Sequence, residues 1–265
     1  MDILRKTRFK QKSFVRFRFF ETERIMYEKD FISLYGVGKE DNDYGSGFYT
    51  TEDIEKAREW AWVNGSDKSA VCNQYSIDLD GLNVLNLDEH GTLAWIAEVT
   101  NHRGASDEFT QAVADKLVEM YKIDTSKADV IIGYRADDSY MNVVKSFLRN
   151  QLSVDEVDRM FRNGNLGQQV FIKSEKAFDR ICFEDYENVS MDKDSHYGEA
   201  DAKARREVGK FLHNREYAIQ IDGFKPAGLT VKDVISTQYE YNKEYGCYLQ
   251  EERANERNEF EIDDR

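Results

Sequence analysis

The chain has 265 residues, a net charge of −14 and 40% hydrophobic residues, which together describe a globular protein with room for a substantial core. No apolar run reaches the roughly 18 residues that a membrane-spanning helix needs, and the charged start lacks a signal-peptide core. The three cysteines lie far apart, which indicates neither a disulfide framework nor a zinc cluster. We therefore expect a cytoplasmic protein without a membrane anchor or a metal site.

Charge is unevenly spread along the chain. Lysine and arginine crowd residues 5–18, whereas aspartate and glutamate dominate the stretch after Glu240. A basic start suits phosphates or an acidic partner, but a solvated terminus is the simpler interpretation of residues 1–12. The acidic balance disfavours a broad nucleic-acid surface, and the acidic end is interpreted as a disordered tail.

The first half predicts alternating strands and helices. Apolar and basic residues alternate from Ser13 to Phe19, which is typical of a strand with one buried face. A loop rich in glycine and aromatic residues then leads into a helix over 52–62, with Thr50 or Thr51 as its N-cap. Strands are expected at 70–77 and 83–87, and helices at 93–103 and 107–121.

The second half predicts the rest of the core and an attachment. A nearly continuous apolar run at 129–134 indicates an interior strand, and helices follow at 138–149 and 153–161. Ser153 and Glu156 form a capping-box pattern, and Ser174 is expected to cap a short helix. Strands are predicted at 168–173 and 180–183, a helical and acidic pattern beyond Glu184, and helices at 200–212 and 229–235. We divide the chain into a core, 1–190, and a helical, acidic C-terminal appendage, 191–265.

The stretch Asn42 to Thr51 is the strongest local motif. Gly45 and Gly47 permit unusual backbone angles and close approach of a ligand, and the nearby Tyr49 can stack on a flat ring. Taken alone, the stretch is more typical of a tight turn that feeds a core strand. The chain has neither a Walker loop nor a complete GxGxxG motif. The four dispersed histidines are interpreted as surface or internally satisfied side chains: His90, His102, His196 and His213.

Three segments together resemble the ADP-ribosyltransferase fold, and more narrowly an uncharacterised bacterial branch of it. They are 35–60, with the NDYGSGFYTT stretch, 131–140, with IIGYRADDSY, and 166–178, with LGQQV and KSEKAF. The resemblance covers about residues 15–183. It implies an α+β fold, specifically a split β-sandwich with peripheral helices and a small, mostly helical C-terminal appendage. It also implies that NAD⁺ binds between two small sheets as the substrate of ADP-ribose transfer.

The resemblance further implies roles for individual residues. Arg18 would hold the ribose or the phosphates, with Arg16 and Arg24 as alternatives, because an arginine fork suits phosphate oxygens. Tyr49 would stack on nicotinamide, and backbone groups near Gly47 and Phe48 would bond its amide. Thr50 and Thr51 would support the strand and complete the NAD⁺-binding set. Arg18, Tyr49, Gln168 and Gln169 are the implied catalytic residues.

The chain departs from this branch at the late polar pair. The branch has Leu-Gly-Glu-Gln at the turn, whereas this chain has Gln168 and Gln169. A glutamine bonds a ribose hydroxyl but brings no charge to a developing cation, and such a loss typically costs about 3 kcal/mol of barrier. The chain is then a slow or altered transferase, a binder without activity, or a form inactivated at Gln168.

The resemblance implies a bacterial mono-ADP-ribosyltransferase, acting as a toxin or an anti-phage defence effector. Its acceptor would be a protein or a nucleic acid, and an antitoxin or inhibitor protein would restrain it. The alternatives are a degenerate nucleotide-binding or partner-binding module and an NAD⁺ glycohydrolase that uses water as acceptor.

Overall fold

The computed structural model describes residues 10–15, 39–64, 70–136, 138–163, 167–189 and 196–250. Over these residues the chain is a mixed α+β protein. Among them, no helix is both long and apolar enough to cross a membrane.

A seven-stranded sheet forms the centre of the molecule. Its strands are β1 (Lys10–Val15), β2 (Phe48–Thr51), β3 (Ala70–Asp78), β4 (Val84–Asn86), β5 (Val130–Tyr134), β6 (Gln168–Ile172) and β7 (Ile181–Val189). Their spatial order is β4, β5, β6, β2, β1, β3, β7. Strands β4 and β5 pair in parallel, and the other neighbours pair antiparallel. Strand β2 therefore lies between β1 and β6, which are far apart in the sequence.

Helices and a hairpin complete the fold. The helices are α1 (Ile54–Asn64), α2 (Gly91–Arg103), α3 (Glu108–Tyr121), α4 (Asp138–Leu148), α5 (Val154–Asn163), α6 (Glu175–Phe178), α7 (His196–Asp222) and α8 (Val231–Ser236). A 3₁₀ helix spans Leu87–His90, and β8 (Tyr239–Asn242) pairs with β9 (Cys247–Gln250) in a hairpin.

The two larger of the three hydrophobic clusters in the described part of the chain lie on opposite faces of the sheet. Successive strand residues point to opposite faces, so Phe171 packs into the larger cluster with helices α2 to α5, while Ile172 packs into a smaller one. The smaller cluster joins residues from five strands, including Phe48 and Tyr75, to helix α6. Every residue of α2 from Gly91 to Thr100 is buried, so polar side chains on this helix lie inside the protein.

The C-terminal segment packs against the same core. Val231 and Val234 of α8 belong to the larger cluster, and the Val154 N–H donates to the Leu229 carbonyl at 2.7 Å. From β9, the Tyr248 hydroxyl accepts a hydrogen bond from the Leu93 N–H at the start of α2, also at 2.7 Å. The division near residue 190 stays a prediction.

Local capping chemistry confirms several predicted elements. Ser153 and Glu156 form the expected capping box at the start of α5, where the Ser153 N–H donates to Glu156 Oε2 at 2.9 Å. Ser174 caps α6 by accepting from the Ala177 N–H. The strands predicted at 70–77, 129–134 and 168–173 are present as β3, β5 and β6.

Predictions near the start of the core are confirmed in part. The strand predicted at 13–19 is present over 13–15 as part of β1, in which Lys10 to Lys12 also pair with Asp78 to Ser76 of β3, and residues 16–19 lie outside the described residues. Helix α1 is capped by Asp53, whose Oδ1 accepts from the Glu55 N–H at 2.9 Å. Thr50 and Thr51 do not cap it, since both belong to strand β2.

Two predictions in the second half are also wrong. Strand β7 continues to Val189, where it pairs with Ala70, in place of the helical pattern expected beyond Glu184. Its many charged residues suit an edge strand, which charge protects from pairing with other chains. Residues 239–250 form the β8–β9 hairpin where a disordered tail was expected.

Candidate active site

The turn before β2 is closed by the side chain of Tyr49. Its hydroxyl donates to the Gly45 carbonyl at 2.7 Å and accepts from the Tyr44 N–H at 2.9 Å. Gly45 has a φ of +87°, a conformation that favours glycine. Burial raises the pKa of the Tyr49 phenol, so the hydroxyl stays neutral and keeps its donor role. The ring remains half-buried, with part of its surface open.

Close packing within the chain explains Gly47. A Cβ at this position would come within 2.5 Å of Phe171 Cζ and 2.7 Å of the Ile172 carbonyl oxygen. The Phe171 ring also packs on Tyr49, with the ring centroids 4.7 Å apart. The glycine therefore permits the turn to pack against β6, whether or not a ligand approaches it.

The two threonines join β2 to β6. Thr50 Oγ1 donates to the Val170 carbonyl at 3.0 Å, and Thr51 Oγ1 donates to the Gln168 carbonyl at 2.9 Å. Both threonines are fully buried, as expected of residues that support the strand. Phe48 is buried in the smaller cluster, against the rings of Tyr75 and Phe178.

Gln169 belongs to a buried polar network centred on Asp43. Gln169 Nε2 donates to Asp43 Oδ2 at 2.9 Å, and the Ala136 N–H donates to the same oxygen at 2.8 Å. Arg103 Nη1 donates to Asp43 Oδ1 at 3.0 Å and also to the Ala136 carbonyl. The network ties the turn before β2 to α2, to β6 and to the residues after β5.

Gln168 faces a different carboxylate. Its Nε2 donates to Oδ2 of Asp88, which lies in the 3₁₀ helix after β4. Burial raises the pKa of Asp88, while the charge of Arg162 and the bond from Gln168 act in the opposite direction. A glutamate at position 168 would set one carboxyl group against another.

Helix α2 contributes a histidine next to the turn before β2, and a glutamate that contacts this histidine. His102 Nε2 lies 3.2 Å from Oε1 of Glu98, which is only 1% exposed. The Nδ1 and Cε1 edge of His102 faces Gly45, where a Cβ would lie 3.1 Å and 3.0 Å from those atoms. The charges of Arg103 and Glu98 both act on the Tyr49 phenol. Gly45 therefore lies between His102, which faces it, and Tyr49, whose hydroxyl donates to its carbonyl.

The predicted site residues are thus brought together only in part. Gln169 bonds Asp43, and Tyr49 bonds the Tyr44 N–H and the Gly45 carbonyl in the same turn, while Gln168 points to Asp88. Arg18 and its alternatives, Arg16 and Arg24, lie outside the described residues.

The sequence interpretation missed Asp43, Asp88, Glu98 and His102 as site residues. The spacing of Glu98 and His102, four apart in a helix that is otherwise rich in buried residues, was the available signal. In the described part of the chain, no group of three or more His, Cys, Asp or Glu side chains is arranged to hold a metal ion.

A comparison with protein families assigns the chain. Residues 30–183 match a family model described as "Protein of unknown function (DUF3990)". The match covers more than half of the 265 residues, so the chain belongs to this family. No curated protein and no solved structure matches the chain.

Proposed function

We propose that this protein is an NAD⁺-dependent mono-ADP-ribosyltransferase that modifies a protein or a nucleic acid. The observation that carries the proposal is the pairing of β2 with both β1 and β6. A transferase cleft built as the resemblance implies requires these three strands to be neighbours, although β1 and β2 come early in the core and β6 comes near its end. Thr51 and Gln168, joined by a hydrogen bond, are 117 positions apart.

The shape of the turn suits a flat ring. Gly47 and Tyr49 are each half-buried, so both keep some surface that a ligand can contact. Stacking on an aromatic ring typically contributes about 1 kcal/mol beyond the area that it buries. Nicotinamide against Tyr49, with its amide bonded by backbone groups near Gly47, is the arrangement that we propose.

The sheet geometry supports a split sandwich. The smaller cluster joins Val130 and Val170, near one end of the sheet, to Tyr75 and Ile77, near the other. If the sheet curves around this cluster, its two halves face each other and leave a cleft between them on one side. NAD⁺ between the halves would have Arg18 on the chain that continues from β1.

A second candidate function is NAD⁺ binding without turnover. The amide N–H groups of Gln168 and Gln169 each donate to a carboxylate of the same chain. Neither side chain brings negative charge toward a cation at Tyr49. A binding module with this candidate site would sense the nucleotide or hold a partner.

The biological role that we propose rests on the family resemblance alone. It is a bacterial toxin or defence effector that acts in the cytoplasm and is restrained by an antitoxin or inhibitor protein.

Labelled NAD⁺ separates the candidates. The parent chain, Gln168→Glu and Gln220→Glu are each incubated with labelled NAD⁺ and cell extract. Gln220→Glu is the control, because Gln220 also donates to a carboxylate, that of Glu216, but both residues are exposed on the surface. Transfer of label to a macromolecule, increased in Gln168→Glu only, is the expected result. Nicotinamide release without transfer would indicate a glycohydrolase, and binding without turnover a binding module. Absence of NAD⁺ binding in all three proteins would refute the proposal.

A further inference from the structure

Glu98 is a buried carboxylate, and only one of its two oxygens has hydrogen-bond partners among the described residues. It is 1% exposed, and its Oε1 is bonded by Thr125 Oγ1 at 3.4 Å and lies 3.2 Å from His102 Nε2. Its Oε2 has no hydrogen-bond partner among the described residues. An ionised carboxylate is costly to bury, and an unsatisfied buried oxygen calls for a specific reason. A functional site is the setting in which such a cost is commonly kept.

His102 joins this buried charge to the turn before β2. Its side chain keeps 26% of its surface exposed, whereas Glu98 is enclosed by the core. When Glu98 is ionised and the imidazole is neutral, Nε2 carries the proton and donates to Oε1, which leaves Nδ1 with a lone pair. In the described residues Nδ1 has no hydrogen bond, and it faces Gly45, whose carbonyl holds the Tyr49 hydroxyl. One nitrogen is therefore fixed by a carboxylate, and the other lies next to Gly45, on a side chain that is partly exposed.

We propose that His102 is the general base of the transfer reaction and that Glu98 is its positioning residue. The role rests on the proposed function. The bond between the ribose C1 and the nicotinamide nitrogen breaks, and its electron pair leaves with neutral nicotinamide. A lone pair of the acceptor forms the new bond to C1, and the acceptor proton moves to Nδ1 of His102. A buried carboxylate that orients an imidazole is a common arrangement for such a base.

The proposal limits the class of acceptor. A carboxylate or a thiolate attacks without losing a proton and gains nothing from a base. A hydroxyl or a neutral N–H group must lose a proton as the bond to C1 forms. The acceptor is therefore a hydroxyl or an N–H group of a protein or a nucleic acid.

The test compares His102→Ala with His213→Ala, which removes an exposed histidine on α7. Each change is made in the parent chain and in Gln168→Glu. NAD⁺ affinity, nicotinamide release and transfer of labelled ADP-ribose are measured. We expect His102→Ala to bind NAD⁺ normally but to transfer label about 100-fold more slowly, with activity restored by added imidazole. His213→Ala should match its parent, and Glu98→Gln should lower transfer with little change in NAD⁺ affinity.

The outcomes separate this inference from the proposed function. If NAD⁺ is bound and label is transferred, but His102→Ala transfers at the parental rate, the role of His102 is refuted and the transferase assignment stands. A loss that imidazole does not restore, together with weaker NAD⁺ binding, would also refute the role and indicate a structural one. If no protein in the series binds NAD⁺, the proposed function and the role of His102 are both refuted.

Discussion

Gln169 donates its side-chain N–H to Oδ2 of Asp43 at 2.9 Å, in a part of the core where Gln169 is only 3% exposed. The two residues are 126 positions apart, and the bond joins the turn before β2 to the first half of β6. The carboxylate of Asp43 also accepts from Arg103 and from the Ala136 backbone. One side chain thus holds four segments together, so its removal has a clear structural consequence.

Asp43→Ala should destabilise the protein strongly. The change leaves the Gln169 amide, the Arg103 guanidinium and the Ala136 N–H without their shared acceptor. We expect the free energy of unfolding in urea to fall by about 3 kcal/mol. Asp41→Ala, at an exposed position of the same loop, is the control and should change it little. Equal stability of the two variants would contradict the central role of Asp43.

The sequence predicted the elements better than it predicted the contacts. Strand and helix periods located β3, β5 and β6, because each buries a regular set of apolar residues. The Ser153–Glu156 cap was also predictable, since it needs only residues three apart. The bond between Gln169 and Asp43 was not, because it depends on strand order and register across the whole core.

Glu98, His102 and Asp88 were missed for the same physical reason, which is that their surroundings depend on how distant segments pack. Glu98 and His102 look like an ordinary pair of residues four apart in a helix, of the kind found on many surfaces. Only the burial of α2 turns Glu98 into an enclosed carboxylate. Asp88 likewise becomes part of the site only because β4 pairs with β5, which brings the following 3₁₀ helix to Gln168.

Gln168→Glu places a second carboxyl group beside Asp88. The free energy of unfolding of this variant should then change with pH, in the window between the pKa values of these carboxyl groups in the unfolded and in the folded state. Burial already raises the pKa of Asp88, and a second carboxyl group would raise it further. A carboxyl group with a raised folded pKa binds protons more tightly in the folded state, so stability increases as pH falls through this window. We expect the variant to lose about 1 kcal/mol relative to the parent at pH 8, after allowance for solvent screening, and to recover it as the pH falls below about 4, the ordinary pKa of unfolded carboxyl groups.

Thermal unfolding of the parent, Gln168→Glu and Gln220→Glu over this pH range is the measurement. The Gln220 variant also places two carboxyl groups together, but in solvent, and should show a weaker pH dependence. A pH profile of Gln168→Glu that parallels the parent would show that residue 168 does not face Asp88.

Tyr49→Phe tests the hydroxyl separately from the ring. Loss of the hydroxyl leaves the Gly45 carbonyl and the Tyr44 N–H without a partner, so we expect a loss of about 2 kcal/mol in the free energy of unfolding. Tyr245→Phe, at an exposed tyrosine of the hairpin turn, is the control. If the ring stacks on nicotinamide, Tyr49→Phe should still bind NAD⁺, while Tyr49→Ala should not. Loss of binding in both variants, with folding intact, would contradict a stacking role.

Gly47→Ala distinguishes a packing role from a ligand-binding role for this glycine. The added Cβ would meet the Phe171 ring and the Ile172 carbonyl, and the backbone oxygen cannot easily move. We expect a loss of about 3 kcal/mol in the free energy of unfolding, measured in urea. Gly209→Ala is the matched control, because nothing lies near a Cβ there, and in the interior of α7 it should stabilise the protein by about 1 kcal/mol. A Gly47→Ala protein with parental stability that no longer binds NAD⁺ would show that the glycine serves the ligand instead.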